Sequence, residues 1–180
     1  VRATCKIIKN ANVILATRSK NEDSTYALDE ICTLINEQEQ ISKCSFSYIK
    51  AAIKYHLFKD QDAFEAITYK SITNSVKNNG IALSIGGDNY CYGVPTYIYI
   101  INRLLHQQGT PAILWGCSIE PSSIKNEMLN DLKSYSLIIA RESITYEAME
   151  KAGLSNVKLL PDPAFQLDRV DLDLPDGFIE

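Results

Sequence analysis

Residues 138–165 read IIARESITYEAMEKAGLSNVKLLPDPAF, and this stretch decides the fold. An apolar run, Leu137 to Ala140, stops at Arg141-Glu142-Ser143. A helical stretch follows and ends near Gly153. A second apolar run, Val157 to Leu160, stops at Pro161-Asp162-Pro163. Strand, charged corner, helix, strand and rigid corner make one βαβ unit. Both corners fall where strands end, which is where open α/β sheets place their binding sites. Arg141 puts a permanent positive charge beside a helix start, a natural anion clamp.

The same rhythm extends upstream. Gly80 leads into Ile81–Ile85, Gly109 into Pro111–Trp115, and Gly153 towards Val157–Leu160. A glycine past a helix end followed by a short continuous apolar run is the pattern of a parallel sheet covered by helices. Helices are predicted at Pro95–Gln107, Ser122–Ser134 and Ser143–Ala152. Earlier in the chain, Asn12–Thr17 reads as a strand. Ser24 reads as the cap of a helix carrying Ala27, Leu28, Ile31, Leu34 and Ile35. Two more helices are expected at Ser45–Phe58 and Asp62–Lys77. The fold class is therefore α/β, a Rossmann-like parallel sheet with helices on both faces. Residues 1–166 form one domain, and the acidic stretch 167–180 reads as a linker towards a further domain.

Composition narrows the function. The 180 residues are 46% apolar, enough for a proper core, and carry a net charge of −4. No basic footprint for nucleic acid appears, and no run approaches the ~20 apolar residues of a membrane span. The chain opens at Val1 rather than at Met, so an upstream portion is expected, and no signal-peptide pattern is visible. Five cysteines at wide spacings, with no CxxC, suit reduced thiols in a cytoplasmic protein rather than disulfides or zinc. With His56 and His106 the only histidines, a Ser-His-Asp triad or a His-based metal site has almost nothing to draw on. Neither a metal nor a cofactor is expected.

If the later strands are parallel, four corners share one edge: Gly86-Gly87-Asp88-Asn89-Tyr90, Gly116-Cys117-Ser118, Arg141-Glu142-Ser143 and Asp162-Pro163. In the first, two glycines let the backbone approach a ligand. Asp88 is a potential base, Asn89 supplies donors and an acceptor, and Tyr90 and Tyr92 offer faces for a sugar. A plain tight turn is the competing reading. Arg141 either holds an anion or forms an internal salt bridge with Glu142 or Asp162. Ser143 reads as an N-cap before it reads as a catalytic group. Asp162, held between two prolines, either positions a ligand or ends the sheet. Cys117 reads as a buried small hydrophobe rather than a nucleophile. His56 reads as a packing residue and His106 as a surface or capping one.

Three of these motifs carry a family likeness. Ala140-Arg141-Glu142-Ser143-Ile144-Thr145-Tyr146-Glu147, then Pro161-Asp162-Pro163-Ala164-Phe165, resembles the polysaccharide pyruvyl transferase family, as does Ser84-Ile85-Gly86-Gly87-Asp88-Asn89-Tyr90. The ordered trio covers roughly half the chain, from Ile81 to Leu167. The resemblance implies one half of a GT-B-like two-domain architecture, with an active site in the cleft between halves. It implies transfer of a pyruvyl group from phosphoenolpyruvate to sugar hydroxyls, forming a ketal on a surface polysaccharide or its lipid-linked precursor. Asp88 is then the candidate catalytic group. Gly86, Gly87, Asn89, Tyr90, Arg141, Glu142, Ser143 and Asp162 are candidates for substrate binding. The partners implied are phosphoenolpyruvate, a sugar or lipid-linked glycan acceptor, and a C-terminal domain, without which the chain is expected to be inactive. The location expected is cytoplasmic, with the inner face of the membrane as one place for it. The glycine-rich opening strand and the second basic or His-containing phosphate motif seen in the family are not evident here. Two other readings stay open: a GT-B glycosyltransferase using a nucleotide sugar, and a non-enzymatic Rossmann-like binding domain.

Overall fold

In the computed structural model, the short apolar runs become parallel strands and the stretches between them become helices. Residues 11–76 and 80–169 are described, together with Arg2 and Cys5. The order is β1 (Ile14–Thr17), α1 (Lys20–Thr25), β2 (Thr33–Asn36), α2 (Phe46–Phe58), α3 (Ala63–Thr68) and α4 (Lys70–Ser75). Then come β3 (Ala82–Ile85), α5 (Thr96–Gln107), β4 (Ala112–Cys117), α6 (Asn126–Ser134), β5 (Leu137–Ala140), α7 (Ser143–Lys151) and β6 (Val157–Leu159). Short 3₁₀ turns cover Pro121–Ser123 and Pro163–Gln166. The class is α/β, with parallel sheets flanked by helices, as expected.

The strands fall into two ladders. β1 pairs with β2, and β3-β4-β5-β6 form a four-stranded sheet in chain order, every pair parallel. Among the described residues no ladder joins the two, so the single sheet expected from the rhythm is divided. Helix α4 packs against both β1 and β2 and also meets α5. The Arg18 guanidinium, just past β1, lies over the Tyr97 ring of α5 at 4.2 Å and binds the buried Glu37 carboxylate at 2.8 Å. These contacts tie the small sheet to the large one.

The core lies between the large sheet and the three crossover helices. Leu114 of β4 and Ile138 of β5 are fully buried against Ile98 and Tyr99 of α5, Met128 and Leu132 of α6, and Met149 of α7. Buried residues of all three helices join the strand residues in one cluster. Gly109 and Gly153 end α5 and α7 with φ of +75° and +81°, as their positions after the helices predict.

Three early expectations are corrected. Ser24 does not cap a helix running to Ile35: Ser19 caps α1, and Leu34 and Ile35 belong to β2. Thr33-Leu34-Ile35-Asn36 is a four-residue ladder with half-buried Leu34 and Ile35 between exposed ends, a stretch too short to be told from helical periodicity. The helix expected over Asp62–Lys77 is broken at Tyr69 into α3 and α4. The helix expected from Ser122 is a 3₁₀ turn at its start and α-helical from Asn126. Of the stretch read as an acidic linker, residues 170–180 lie outside the described part.

A polar network runs through this core. The Tyr90 hydroxyl donates to Asp131 Oδ2 and meets the Tyr135 hydroxyl at 2.9 Å. Asn102 Nδ2 donates to Asp131 Oδ1 at 3.0 Å and to Ser134 Oγ at 2.7 Å. Burial pushes the Asp131 carboxyl above its ordinary range, against the lowering effect of its donors Tyr90 and Asn102. Replacing Tyr90 with Phe removes a donor from a buried carboxylate. The variant should lose about 1–3 kcal/mol of stability, read by urea unfolding. An unchanged midpoint would show that Asp131 finds other partners.

Candidate active site

The four corners do meet, and Arg141 is what joins them. It follows β5, while Asp88 follows β3, two strands away in the sheet. Adjacent strands are about 4.8 Å apart, so the guanidinium must reach roughly 10 Å across the end of β4. Its Nη2 donates to Asp88 Oδ1 at 3.0 Å, Nη1 donates to Asp162 Oδ2 at 3.0 Å, and Nε donates to Ser118 Oγ at 2.8 Å. One side chain therefore holds residues from the ends of β3, β4 and β6. The internal salt bridge weighed for Arg141 exists, but to Asp162 and Asp88, not to Glu142.

Two glycines make room for this reach. A Cβ on Gly87 would lie 2.1 Å from Arg141 Nη1, so no side chain fits there. At Gly116, β4 bulges: the register with β5 shifts between Trp115 and Cys117, and φ is +70°. A Cβ at Gly116 would meet Pro163 Cδ at 2.8 Å. The bulge both turns the β4 corner out of the way and lets the Pro161-Asp162-Pro163 corner pack across it. Backbone bonds complete the join: the Ser118 amide donates to the Gly87 carbonyl at 2.9 Å, and the Arg141 amide to the Cys117 carbonyl at 3.1 Å.

Asp162 is fixed at both oxygens. Oδ1 caps the following 3₁₀ turn by accepting from the Ala164 amide at 2.8 Å, and Oδ2 takes Arg141. The Ala164 amide, with Arg141 adding to it, holds the carboxyl below its ordinary range despite partial burial. Arg141 is raised in turn, first by its bond to Asp162. Asp88 is the open partner: its side chain is 60% exposed, against 28% for Asp162.

The remaining candidates divide. Glu142, not Ser143, caps α7, with both carboxylate oxygens accepting from the Thr145 amide at 3.0 and 3.1 Å. Burial alone would raise Glu142, but bonds from Thr145 and Ile144 outweigh it and leave the carboxyl below its usual range. The glutamate reaches the amide three residues on, the geometry expected of a Ser cap, and leaves Ser143 as an exposed first helical residue. Ser143 and Glu142 line a shallow depression with Arg141, Asp162, Leu160 and Phe165. Asn89 spends its side-chain amide on the Ile85 carbonyl at 2.8 Å, closing the turn that begins at Gly86. Tyr90 is corrected as a sugar platform: it is 1% exposed and belongs to the core network, whereas Tyr92 is 84% exposed. Burial pushes the Cys117 thiol up to about 12, which fits a packing residue. His56 and His106 are both exposed and lie outside this cluster. Among the described residues no group of three or more His, Cys, Asp or Glu side chains gathers as metal ligands.

Two contributors were hidden from sequence reasoning. Ser118 stood in a predicted corner without a role, and only the fold shows that Arg141 passes over it. Thr145 is 1% exposed, and its Oγ1 accepts from the Ile119 amide at 2.8 Å and donates to the Ile119 carbonyl. It ties the chain after β4 to α7, and its place four residues after Arg141 is the one local signal.

A family model described as polysaccharide pyruvyl transferase matches residues 2–178. The chain belongs to the polysaccharide pyruvyl transferase family. No curated protein and no solved structure matches it. The match embraces all three motifs of the cluster, so the Arg141 junction is built from the segments that carried the family likeness. Membership makes the protein a member of a transferase family with a polysaccharide as acceptor. No helix among the described residues is long and apolar enough to cross a membrane.

Two outcomes follow from the junction. Gly87→Ala places a methyl group on the Arg141 guanidinium, closest to the Nη1 that binds Asp162, and should displace the guanidinium from its two carboxylates. A crystal structure of the variant checks this, and an unmoved guanidinium would contradict it. Asp162, depressed in the folded state, contributes stability above its unfolded pKa that is lost as pH falls through the lower native value. Asp162→Asn should therefore flatten the drop in melting temperature between neutral and strongly acidic buffer. The effect should be under about 1 kcal/mol, because the ion pair is partly solvated.

Proposed function

We propose that the protein transfers a pyruvyl group from phosphoenolpyruvate to sugar hydroxyls of a surface-polysaccharide precursor, forming a ketal, with the Arg141 junction as the reacting edge. The observation that supports this most is the guanidinium divided between two carboxylates of unequal exposure at the C-terminal ends of the strands. The reaction needs an anion holder, a proton donor to the enol carbon, and a base for the attacking hydroxyl.

Arg141 fits the first need and Asp88 the third. With both terminal nitrogens occupied, an incoming phosphate or carboxylate must displace a partner. Asp162 is locked by its own cap, so Asp88 is the one to yield. Anion binding on Nη2 would then free the Asp88 carboxylate beside the donor substrate. Protonation of the methylene carbon makes the neighbouring phosphate-bearing carbon oxocarbenium-like. A first sugar hydroxyl adds to that carbon, and Asp88 takes its proton and passes it to the phosphate. The C–O bond to phosphate breaks, inorganic phosphate leaves and the oxocarbenium centre forms again. A second hydroxyl of the same sugar then adds there and gives its proton to Asp88, which closes the ketal. The two glycines, Asn89 and Glu142 hold the corners in place. Ser143, exposed on the same depression, adds a hydroxyl donor for an anion. The acid that protonates carbon is sought in a further domain, as in a GT-B-like arrangement. A lipid-linked acceptor would bring this work to the inner face of the membrane.

The test pairs ligand binding with substitution. Phosphoenolpyruvate should raise the melting temperature of the wild-type protein, and Arg141→Ala should abolish the shift. In the transfer assay Arg141→Ala should cost on the order of 3 kcal/mol of transition-state stabilisation, and Arg141→Lys nearly as much, because a lysine cannot span two carboxylates. Asp88→Asn should lower kcat with a smaller effect on phosphoenolpyruvate binding. Stabilisation by a nucleotide sugar but not by phosphoenolpyruvate would replace this reading with that of a glycosyltransferase. Transfer activity unaffected by Arg141→Ala would remove the junction from the mechanism.

A further inference from the structure

Helix α2 presents an apolar face that nothing in the reaction uses. Its inner side is settled by packing: Ala51 is buried, and the Tyr48 and Tyr55 rings lie 5.3 and 5.7 Å from Phe64 of α3. Helical spacing carries Phe46, Ile49, Ile53 and Leu57 to the opposite side. They are 82%, 49%, 47% and 74% exposed. A scattered exposed leucine is ordinary, but an unbroken stripe along a 13-residue helix marks a contact surface.

The charges on α2 and the residues just before it have one sign. From Gln40 to Lys59 the chain carries Lys43, Lys50, Lys54 and Lys59 and no Asp or Glu, although its net charge is −4. Lys50 and Lys54 lie next to the stripe on the helix. Lys54 also faces Asp60 across 3.9 Å, at the very end of the segment. We propose that this face docks on an anionic lipid bilayer. The helix lies in the interfacial plane, with the four apolar side chains at the acyl boundary and the lysines among the headgroups. A second copy of the chain fits less well, because two such helices would bring lysines together with no carboxylate on either to pair them. The surface is independent of the Arg141 junction, so the two proposals stand or fall separately.

Sedimentation with vesicles tests it. The protein should pellet with vesicles of phosphatidylcholine mixed with phosphatidylglycerol and stay in the supernatant with phosphatidylcholine alone. Added salt should weaken the binding. The double variant Ile53→Asp, Leu57→Asp should lower binding about tenfold or more. Its melting temperature should hold, because both side chains are exposed. Lys50→Glu, which leaves the stripe intact, should also weaken binding, and it decides the matter if the double variant misfolds. Arg141→Ala should pellet like the wild type. Wild-type protein that ignores phosphatidylglycerol vesicles, or Lys50→Glu that binds them undiminished, would overturn the proposal. So would a concentration-dependent dimer, seen by sedimentation velocity, that the double variant abolishes.

Discussion

One side chain has to cross the end of a strand, and the site is arranged around that crossing. Arg141 leaves β5 and reaches Asp88 beyond β3, so the β4 corner between them must be both low and polar. Gly116 bends the β4 corner aside, Ser118 accepts the guanidinium as it passes, and Gly87 clears the space its Nη1 occupies. These are different kinds of requirement: a backbone conformation, an acceptor and an absence of side chain. They come from two segments, the β3 and β4 corners, and all are needed for one guanidinium to hold two carboxylates at 3.0 Å.

The order of the large sheet explains why the junction can form at all. With β3, β4, β5 and β6 side by side in chain order and all parallel, every strand delivers its C-terminal corner to the same edge. The helices between the strands share one buried cluster with them, and residues of that cluster hold the corners in place. Tyr90 shows the link. It leaves the glycine corner, dives into the core and bonds to Asp131 of α6, so the loop carrying Asp88 is anchored to a helix that never approaches the site. Thr145 does the same for the chain after β4 and the start of α7.

Much of this was legible in the sequence because it is local. Glycine after helix and apolar run after glycine predict β3, β4 and β6 within a few residues, and the apolar run from Leu137 to Ala140 predicts β5. The corners of the edge follow from the parallel reading alone. What failed was non-local or too short. Tyr90 and Tyr92 stand two residues apart with the same chemistry, and only the packing of α6 decides that one is buried and the other is not. Leu34 and Ile35 continue a helical spacing from Ala27, yet a four-residue ladder to β1 takes them. The Glu142 cap was missed because Ser143 looked like the conventional choice. The choice between ligand holding and internal pairing at Arg141 could not be made without knowing that Asp88 and Asp162 both lie within reach.

That last point bears on how such an edge could work. A guanidinium shared by two carboxylates carries no spare positive charge, so the trio as it stands attracts anions poorly. The asymmetry of its partners is what makes the arrangement responsive. Asp162 gives one oxygen to the Ala164 amide and the other to Arg141, and it cannot leave without uncapping the turn that follows. Asp88 sits on a glycine turn, is mostly exposed, and can swing away by side-chain rotation alone. An anion that competes for Nη2 therefore meets one fixed and one yielding neighbour. Its binding would be coupled to the release of a carboxylate at the place where a hydroxyl proton has to go.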